Sequence, residues 1–309
     1  MPKRDKNFME RFERGLNTGD LEKSKITAKV LGYGEISTTF QIGDDRQWAY
    51  KRMPLFTTVD GTREYADIYQ QYCRHLTSAG INIPEDELQI VAQPGHPVVL
   101  YIVQHQFPAE WFAHHLIHRI SDEQVAILFN RIVPHALQVW DFNYNMSPAT
   151  EIALDAQLSN WVFEDGAVEN GKIFYVDTST PLFRLDGVEQ MNPELILQSA
   201  PSFLRWIIRQ FFLKGVMERY YDQHQILIDL AANLYKEQRP DLIAVAVEAI
   251  NIHMNSEIAP ITEKDIDKYY REDKLIWILF LNFRRIDRWI KTAILHKQYE
   301  FILPGKIKR

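Results

Sequence analysis

Three polar residues frame one stretch of the chain. They are Asp155, Asn160 and Asp177, in LDAQLSNWVFEDGAVENGKIFYVDTSTP. Asp155 and Asn160 bracket a loop, and Asp177 closes the second of the two strand-like runs that follow. Magnesium takes hard oxygen donors and keeps several waters, so one amide and one carboxylate with phosphate oxygens suffice. Asn160 and Asp177 fit that role. Asp155, without a metal duty, can accept or orient a hydroxyl proton, general-base work worth roughly 10²–10⁴ in rate. The same residues also read as a turn cap, a local hydrogen-bonding amide and a strand-end cap. The segment alone does not decide between these readings.

Two upstream features carry related chemistry. In LGYGEIS, Gly32 and Gly34 stand between two strand-like runs, where the lack of side chains lets backbone N–H groups approach a phosphate. The spacing is G-x-G-x-x-S, with Ser37 in the third place, and it opens no helix, which disfavours a dinucleotide fold. A plain hairpin turn uses glycines in the same way. Lys51 ends the run QWAYK. Trp48 and Tyr50 alternate onto one face, so Ala49 and Lys51 share the other. A lysine turned inward needs an anionic partner. A phosphate would serve, and so would Glu64 on the following helix, whereas a solvated edge lysine needs neither.

Positioning these residues takes a strand-rich part and a helical part. Residues 5–16 predict a short charged helix. KITAKVLGYGE, TTFQIG, QWAYKRMPL, ELQIVAQ and PVVLYIVQHQFP read as five strands. Between the third and fourth, DGTREYADIYQQYCRHLTSAG has helical spacing, with Tyr65, Ile68, Tyr69, Tyr72 and Leu76 on one face and Gly80 as the stop. From residue 109 the texture turns helical. AEWFAHHLIHRI and SDEQVAILFNRIVPHALQVWDF precede the hairpin, and TSTPLFRLDGVEQMNPELIL leads quickly from it into further helices. These are PSFLRWIIRQFFLKGVMERYY, QILIDLAANLYKEQ, DLIAVAVEAINIHM, TEKDIDKYYRED and KLIWILFLNFRRIDRWIKTAILHKQY. In the first of them Leu204, Ile207, Ile208, Phe211 and Phe212 share one buried-type face.

Length and composition bound the classes. The 309 residues suggest one large domain or two lobes. A chain 46% hydrophobic and 25% charged is an ordinary globular one. The net charge of −6 argues against non-specific nucleic-acid binding. Cys73, the single cysteine, allows no intrachain disulfide and fits a reducing compartment. The start MPKRDKNFMERFERG has no apolar stretch of the signal-peptide kind. LIWILFL at 275–281 is too short to span a bilayer and predicts a buried core helix. The expected setting is cytoplasmic, with no membrane span and no nucleic-acid partner.

The features gain weight from their order: a glycine turn between strands, A-x-K on the next strand, then a glutamate on the first long helix. A strand running into a short connection follows, then D-x-x-x-x-N, a hairpin and a final aspartate. In that order the sequence resembles the protein-kinase-like superfamily over roughly residues 27–180. The resemblance implies an α+β bilobal kinase-like fold. A small antiparallel-sheet N-lobe with one helix would span 1–105, and a large mainly α-helical C-lobe 106–309. It implies that Gly32, Gly34 and Ser37 lie over the phosphates of ATP, and that Lys51 contacts them and pairs with Glu64. It further implies that Gln104, His105 and Gln106 form the hinge beside the adenine, that Asp155 is the catalytic aspartate, and that Asn160 and Asp177 hold Mg2+.

The chain departs from the protein-kinase pattern in four places. ALDAQLSN lacks the His-Arg-Asp or His-Gly-Asp lead-in. Gln157 stands two places after Asp155 where protein kinases carry lysine. Thr178-Ser179 replaces Phe-Gly, and no Ala-Pro-Glu follows. In this the chain looks closer to the aminoglycoside and choline phosphotransferase-like branch, which implies ATP/Mg-dependent transfer to a small-molecule hydroxyl. The alternatives are a pseudokinase-like scaffold without turnover, which binds a nucleotide or none and could act through a protein partner, and adenylate transfer from the same site. Other motifs are thinner. HHLIH puts His114 and His118 at i, i+4, with His115 facing elsewhere and no further ligand to complete a metal site. ERYYDQHQ and DKYYRED could line an acceptor pocket. Trp140 and Trp161 read as core residues or as cation–π faces for a cationic acceptor. The basic tail PGKIKR is too short to read as an interaction element. The acceptor itself is not legible.

Overall fold

All five expected strands pair in one antiparallel sheet. They are β1 (Ala28–Tyr33), β2 (Thr38–Ile42), β3 (Trp48–Phe56), β4 (Asp86–Val91) and β5 (Val98–His105), in the order β1-β2-β3-β5-β4. The computed structural model describes residues 5–34, 36–146, 149–198, 200–201, 204–206, 213–256, 258–296 and 298–304. Alternation along β3 sends Tyr50 to one face of the sheet and Met53 to the other, and each belongs to a different core. On the first face lies α1 (Lys6–Gly15), capped by the Asp5 side chain, with Met9 and Phe12 buried against Phe40, Tyr50 and Tyr101. Arg52 is buried there too. Its guanidinium donates to Glu13 of α1 at 2.6 Å and to the backbone carbonyl of Glu300 at 2.6 Å. Burial pushes the Glu13 carboxyl up, but Arg52 outweighs it and holds Glu13 below the ordinary value.

The other face takes α2 (Val59–Ser78), which Thr58 caps by accepting from the Gly61 N–H. The predicted apolar face turns inward: Tyr65, Tyr69, Tyr72 and Leu76 are buried, each side chain contributing about 1.5–3 kcal/mol of burial. The helix stops where expected. Gly80 adopts φ +88°, its N–H reaches the Thr77 carbonyl, and the Ile81 N–H reaches the Leu76 carbonyl.

Beyond β5 the chain is mainly helical. The stretch expected as one helix over 109–120 is instead a 3-10 turn, Ala109–Trp111, and a four-residue helix α3, Ala113–Leu116. Helix α4 (Asp122–Met146) follows, and its Arg131 donates to the Val168 and Gly171 carbonyls in the loop of the hairpin formed by β7 (Trp161–Phe163) and β8 (Ile173–Tyr175), which pair antiparallel as expected. A second small sheet was not anticipated. It joins β6 (Thr150–Ile152), β9 (Phe183–Leu185) and β10 (Val188–Glu189) in the order β10-β9-β6, so helices do not follow Asp177 at once. Strands of two and three residues are too short to show a period of two.

Helices α5 (Glu194–Gln198), α6 (Leu213–Tyr221), α7 (Gln223–Lys236), α8 (Ile243–His253) and α9 (Glu263–Trp289) complete the described fold. Ile207, Ile208, Phe211 and Phe212 lie outside the described residues, as does the tail beyond Pro304. Two expectations are corrected at α9. The two helices read over 262–273 and 274–299 are one, opened by a Thr262–Asp265 capping box. The run at 275–281 is not a buried core helix: Leu275, Ile276, Ile278 and Leu279 are 60%, 54%, 41% and 47% exposed. The stripe of α9 that meets the core is Ile266, Tyr270, Leu281, Arg284 and Asp287, and an apolar run that wraps the helix cannot bury its whole circumference against one neighbour. Among the described residues no helix is long and apolar enough to cross a membrane. The α+β arrangement is compatible with the kinase-like expectation.

Candidate functional site

A cleft of about 800 Å³ lies between the five-stranded sheet and the helical part. Its walls bring together most of the candidate residues. Gly32, Gly34 and Ser37 come from the β1–β2 turn and Lys51 from β3. Gln104, His105 and Gln106 come from the end of β5, and Asn160 and Asp177 from the ends of the β7–β8 hairpin. Gly34 is required by its neighbours. Its N–H donates to the Ser37 carbonyl at 2.9 Å, and a Cβ there would lie 2.7 Å from Ser37 Oγ. At Gly32 the strand register slips and nothing stands within 4 Å of an added Cβ, so this part of the backbone is open.

Among the described residues Lys51 has one carboxylate partner within ion-pair distance, and it is not the expected one. Its Nζ lies 3.0 Å from Asp177 Oδ1 and 3.4 Å from both Ser179 Oγ and the Val176 carbonyl. Glu64 is exposed on the outer side of α2. The predicted Lys51–Glu64 pair is therefore corrected, and helical geometry explains it. Once Tyr65, Tyr69 and Tyr72 define the inner face, the residue just before Tyr65 points about 100° away. The α2 side chain that reaches the site is Tyr65, whose hydroxyl donates to the Ser179 carbonyl at 2.6 Å.

Thr178 and Ser179, which replace Phe-Gly, act as connectors. Thr178 Oγ1 receives Gln104 Nε2 at 3.1 Å and lies 3.1 Å from the Tyr69 hydroxyl. Ser179 Oγ donates to Asp177 Oδ1 at 2.9 Å. Burial pushes the Asp177 carboxyl up, but the Lys51 ammonium and the Ser179 hydrogen bonds overcome it and hold Asp177 below the ordinary range. The Asp177 side chain remains 33% exposed, and it faces the cleft.

The loop carrying Asp155 is braced from several elements. Asn143 of α4 clamps Ile152, accepting its N–H at 2.8 Å and donating to its carbonyl at 2.7 Å. Tyr72 donates to the Ala153 carbonyl, and the Asp155 N–H donates to the Tyr175 hydroxyl. Trp161 Nε1 donates to the Ala156 carbonyl, and the Leu158 N–H donates to Asn233 Oδ1. Asn160 Nδ2 donates to the Asp155 carbonyl at 2.9 Å, which keeps these two residues in fixed relation. Trp161 is thus a core residue, and Trp140 packs at the core edge with its Nε1 on the Tyr221 carbonyl.

Asp155 itself is not among the residues lining the cleft. Burial, with the Asp229 and Asp177 charges near it, pushes its carboxyl well above the usual range. On its helical side lies a charged cluster, in which Lys236 of α7 sits 3.4 Å from Asp229 and 3.5 Å from Asp273.

Several further residues line the cleft, and the sequence pattern assigns none of them to it. Lys29 and Arg46 add positive charge to the sheet wall, and Glu110, His114, His115 and Ser159 line the helical wall. His115 does not face elsewhere: its ring centroid lies 4.1 Å from that of His114, and both reach the cleft. Burial, with His115 and His118 adjacent, pushes the His114 imidazole down to about 4. Among the described residues no three His, Cys, Asp or Glu side chains gather in a metal-binding group. Asn160 and Asp177 supply one amide and one carboxylate to the cleft wall, a donor set that suits magnesium with water and phosphate oxygens around it.

A family model described as "Family of unknown function (DUF6206)" matches residues 17–288, and the chain belongs to that family. No curated protein matches the sequence. Among solved structures, WaaP in complex with acyl carrier protein aligns at 14% identity over 76% of this chain and 97% of that one, with a TM-score of 0.33. An overlay that loose carries no fold assignment.

Proposed function

We propose that this member of a family of unknown function is a kinase-like phosphotransferase with two lobes, 1–105 and 106–309. It binds ATP with magnesium between them and phosphorylates a small-molecule hydroxyl. The observation that carries the reading is the cleft. Residues as far apart in sequence as Gly32 and Asp177, selected by type and order, line one cavity of about 800 Å³. That volume falls within the ~300–1,000 Å³ of small-ligand sites.

In this reading the turn carrying Gly32, Gly34 and Ser37, with its open backbone at Gly32, lies over the phosphates, and Lys51, with Lys29 and Arg46 nearby, neutralises them. Gln104, His105 and Gln106 border the base. Magnesium, held by Asn160 and Asp177, would neutralise phosphate charge. Asp155 accepts a hydrogen bond from the acceptor hydroxyl and takes its proton as the phosphoryl group is transferred. Most of the rate enhancement then comes from positioning and electrostatics rather than covalent chemistry.

One observation favours a second reading, nucleotide binding without turnover. Asp155 does not line the cleft, and its carboxyl shares its surroundings with Asp229 and Asp177. Thermal unfolding with ATP and magnesium tests the shared premise, since ligand at 100 times its Kd adds about 2.7 kcal/mol. No shift at millimolar ATP sinks both readings. Given a shift, ATP consumption in wild type and its loss in Asp155→Asn, with the shift retained, support the enzyme. A shift without consumption for any tested hydroxyl acceptor supports the binding protein.

A further inference from the structure

The α9 helix has a buried stripe and an exposed apolar one, and among the described residues only the first is covered. The inner stripe meets the core. Outside it, Leu275, Leu279, Ile286 and Trp289 are 60%, 47%, 47% and 60% exposed, with Asn282 exposed between them. Their spacing is 4, 3, 4, 3, the repeat that keeps a seam facing a second helix along its length. Ile276 and Ile278 widen the seam on its two sides, at 54% and 41% exposure. Just past the helix end, Ile294 and Leu295 extend the apolar surface at 55% and 53% exposure.

We propose that this outer face of α9 pairs with the same face of a second copy of the chain, giving a twofold-symmetric homodimer. Three observations select this occupant. Scaling the exposed fractions of the eight apolar side chains by full side-chain areas gives roughly 600 Å² per copy, the low end of what a specific protein–protein interface buries on each side. A heptad stripe is self-complementary under a twofold axis, so the same patch serves both partners. Asn282 lies midway between Leu275 and Trp289, and a single amide inside an apolar seam sets its register. The dimer is independent of the nucleotide site, since none of these residues lines the cleft.

Sedimentation velocity of the full chain, from ~1 to ~100 µM, tests the proposal. Wild type is expected at twice the monomer mass, and Leu279→Glu/Ile286→Glu at monomer mass with an unchanged melting temperature. A wild type that stays monomeric throughout overturns the inference, and so does a double variant that stays dimeric. Wild type that is monomeric and sediments with phosphatidylcholine/phosphatidylglycerol vesicles would assign the face to lipid instead. A third variant avoids any folding defect of the charged pair. Asn282→Cys, in a Cys73→Ser background, should cross-link to its own copy under mild oxidation, and failure to cross-link counts against the pairing.

Discussion

Replacing Lys51 by methionine isolates one interaction at the centre of the cleft. The ammonium is 11% exposed and lies 3.0 Å from Asp177 Oδ1, with further contacts to Ser179 Oγ and the Val176 carbonyl. Breaking a fully buried pair by deleting one partner costs about 3–5 kcal/mol, because the charge left behind is unpaired. Asp177 is 33% exposed, so solvent screens part of that loss, and the expected cost is about 1–3 kcal/mol at pH 7.

The pH dependence gives the sharper test. In wild type Asp177 is held below its ordinary value. The stability this adds is present above the unfolded-state pKa near ~3.9 and is lost as the pH falls through the folded value. In Lys51→Met the carboxyl moves up, since only the Ser179 hydrogen bonds still oppose burial. The stability gap between the two proteins is therefore widest near neutrality and narrows as the pH drops. Urea unfolding at several pH values reads this directly. A gap that is absent at pH 7, or constant down to acid pH, refutes the assignment. Adding Asp177→Asn to Lys51→Met should recover most of the loss, because no charge is then left unpaired.

Three other substitutions have defined outcomes. Arg52→Leu strands the Glu13 carboxylate and should lower unfolding free energy by about 3–5 kcal/mol in urea, with the m-value unchanged. Asn143→Ala orphans both backbone groups of Ile152 and should cost about 2–4 kcal/mol by the same assay. Gly34→Ala places a methyl group 2.7 Å from Ser37 Oγ and should weaken ATP binding by about tenfold in titration calorimetry. The double variant Gly34→Ala/Ser37→Ala removes the clash and should regain most of the affinity.

The sheet, α2 and the β7–β8 hairpin were legible because their patterns are local. Alternation fixed the inward side of Lys51, and the spacing of Tyr65, Tyr69, Tyr72 and Leu76 fixed the inner face of α2. That same spacing places Glu64 on the outward side, against the lysine–glutamate pair that the resemblance implies. The Lys51–Asp177 pair joins residues 126 apart, and no local pattern encodes such a contact. Neither do the contacts of Thr178 and Ser179, which in sequence read only as missing Phe-Gly. At α9 an apolar run was legible, but not which arc of it the fold would cover. That depends on how many neighbours pack around a helix, which its own sequence does not state.

The Arg52 clamp sets a timetable for synthesis. Glu13 and Arg52 leave the ribosome 39 residues apart, whereas the Glu300 carbonyl that completes the clamp follows Arg52 by 248 residues. At about 5–20 residues per second, Arg52 waits roughly 12–50 s for its last acceptor. During that interval the outer face of the sheet can hold α1 but lacks the segment around Tyr299 and Glu300, to which Thr18 also donates. The sheet is therefore an element that can be finished only once the segment around Glu300 has been made, and its last contact closes a loop of 248 residues.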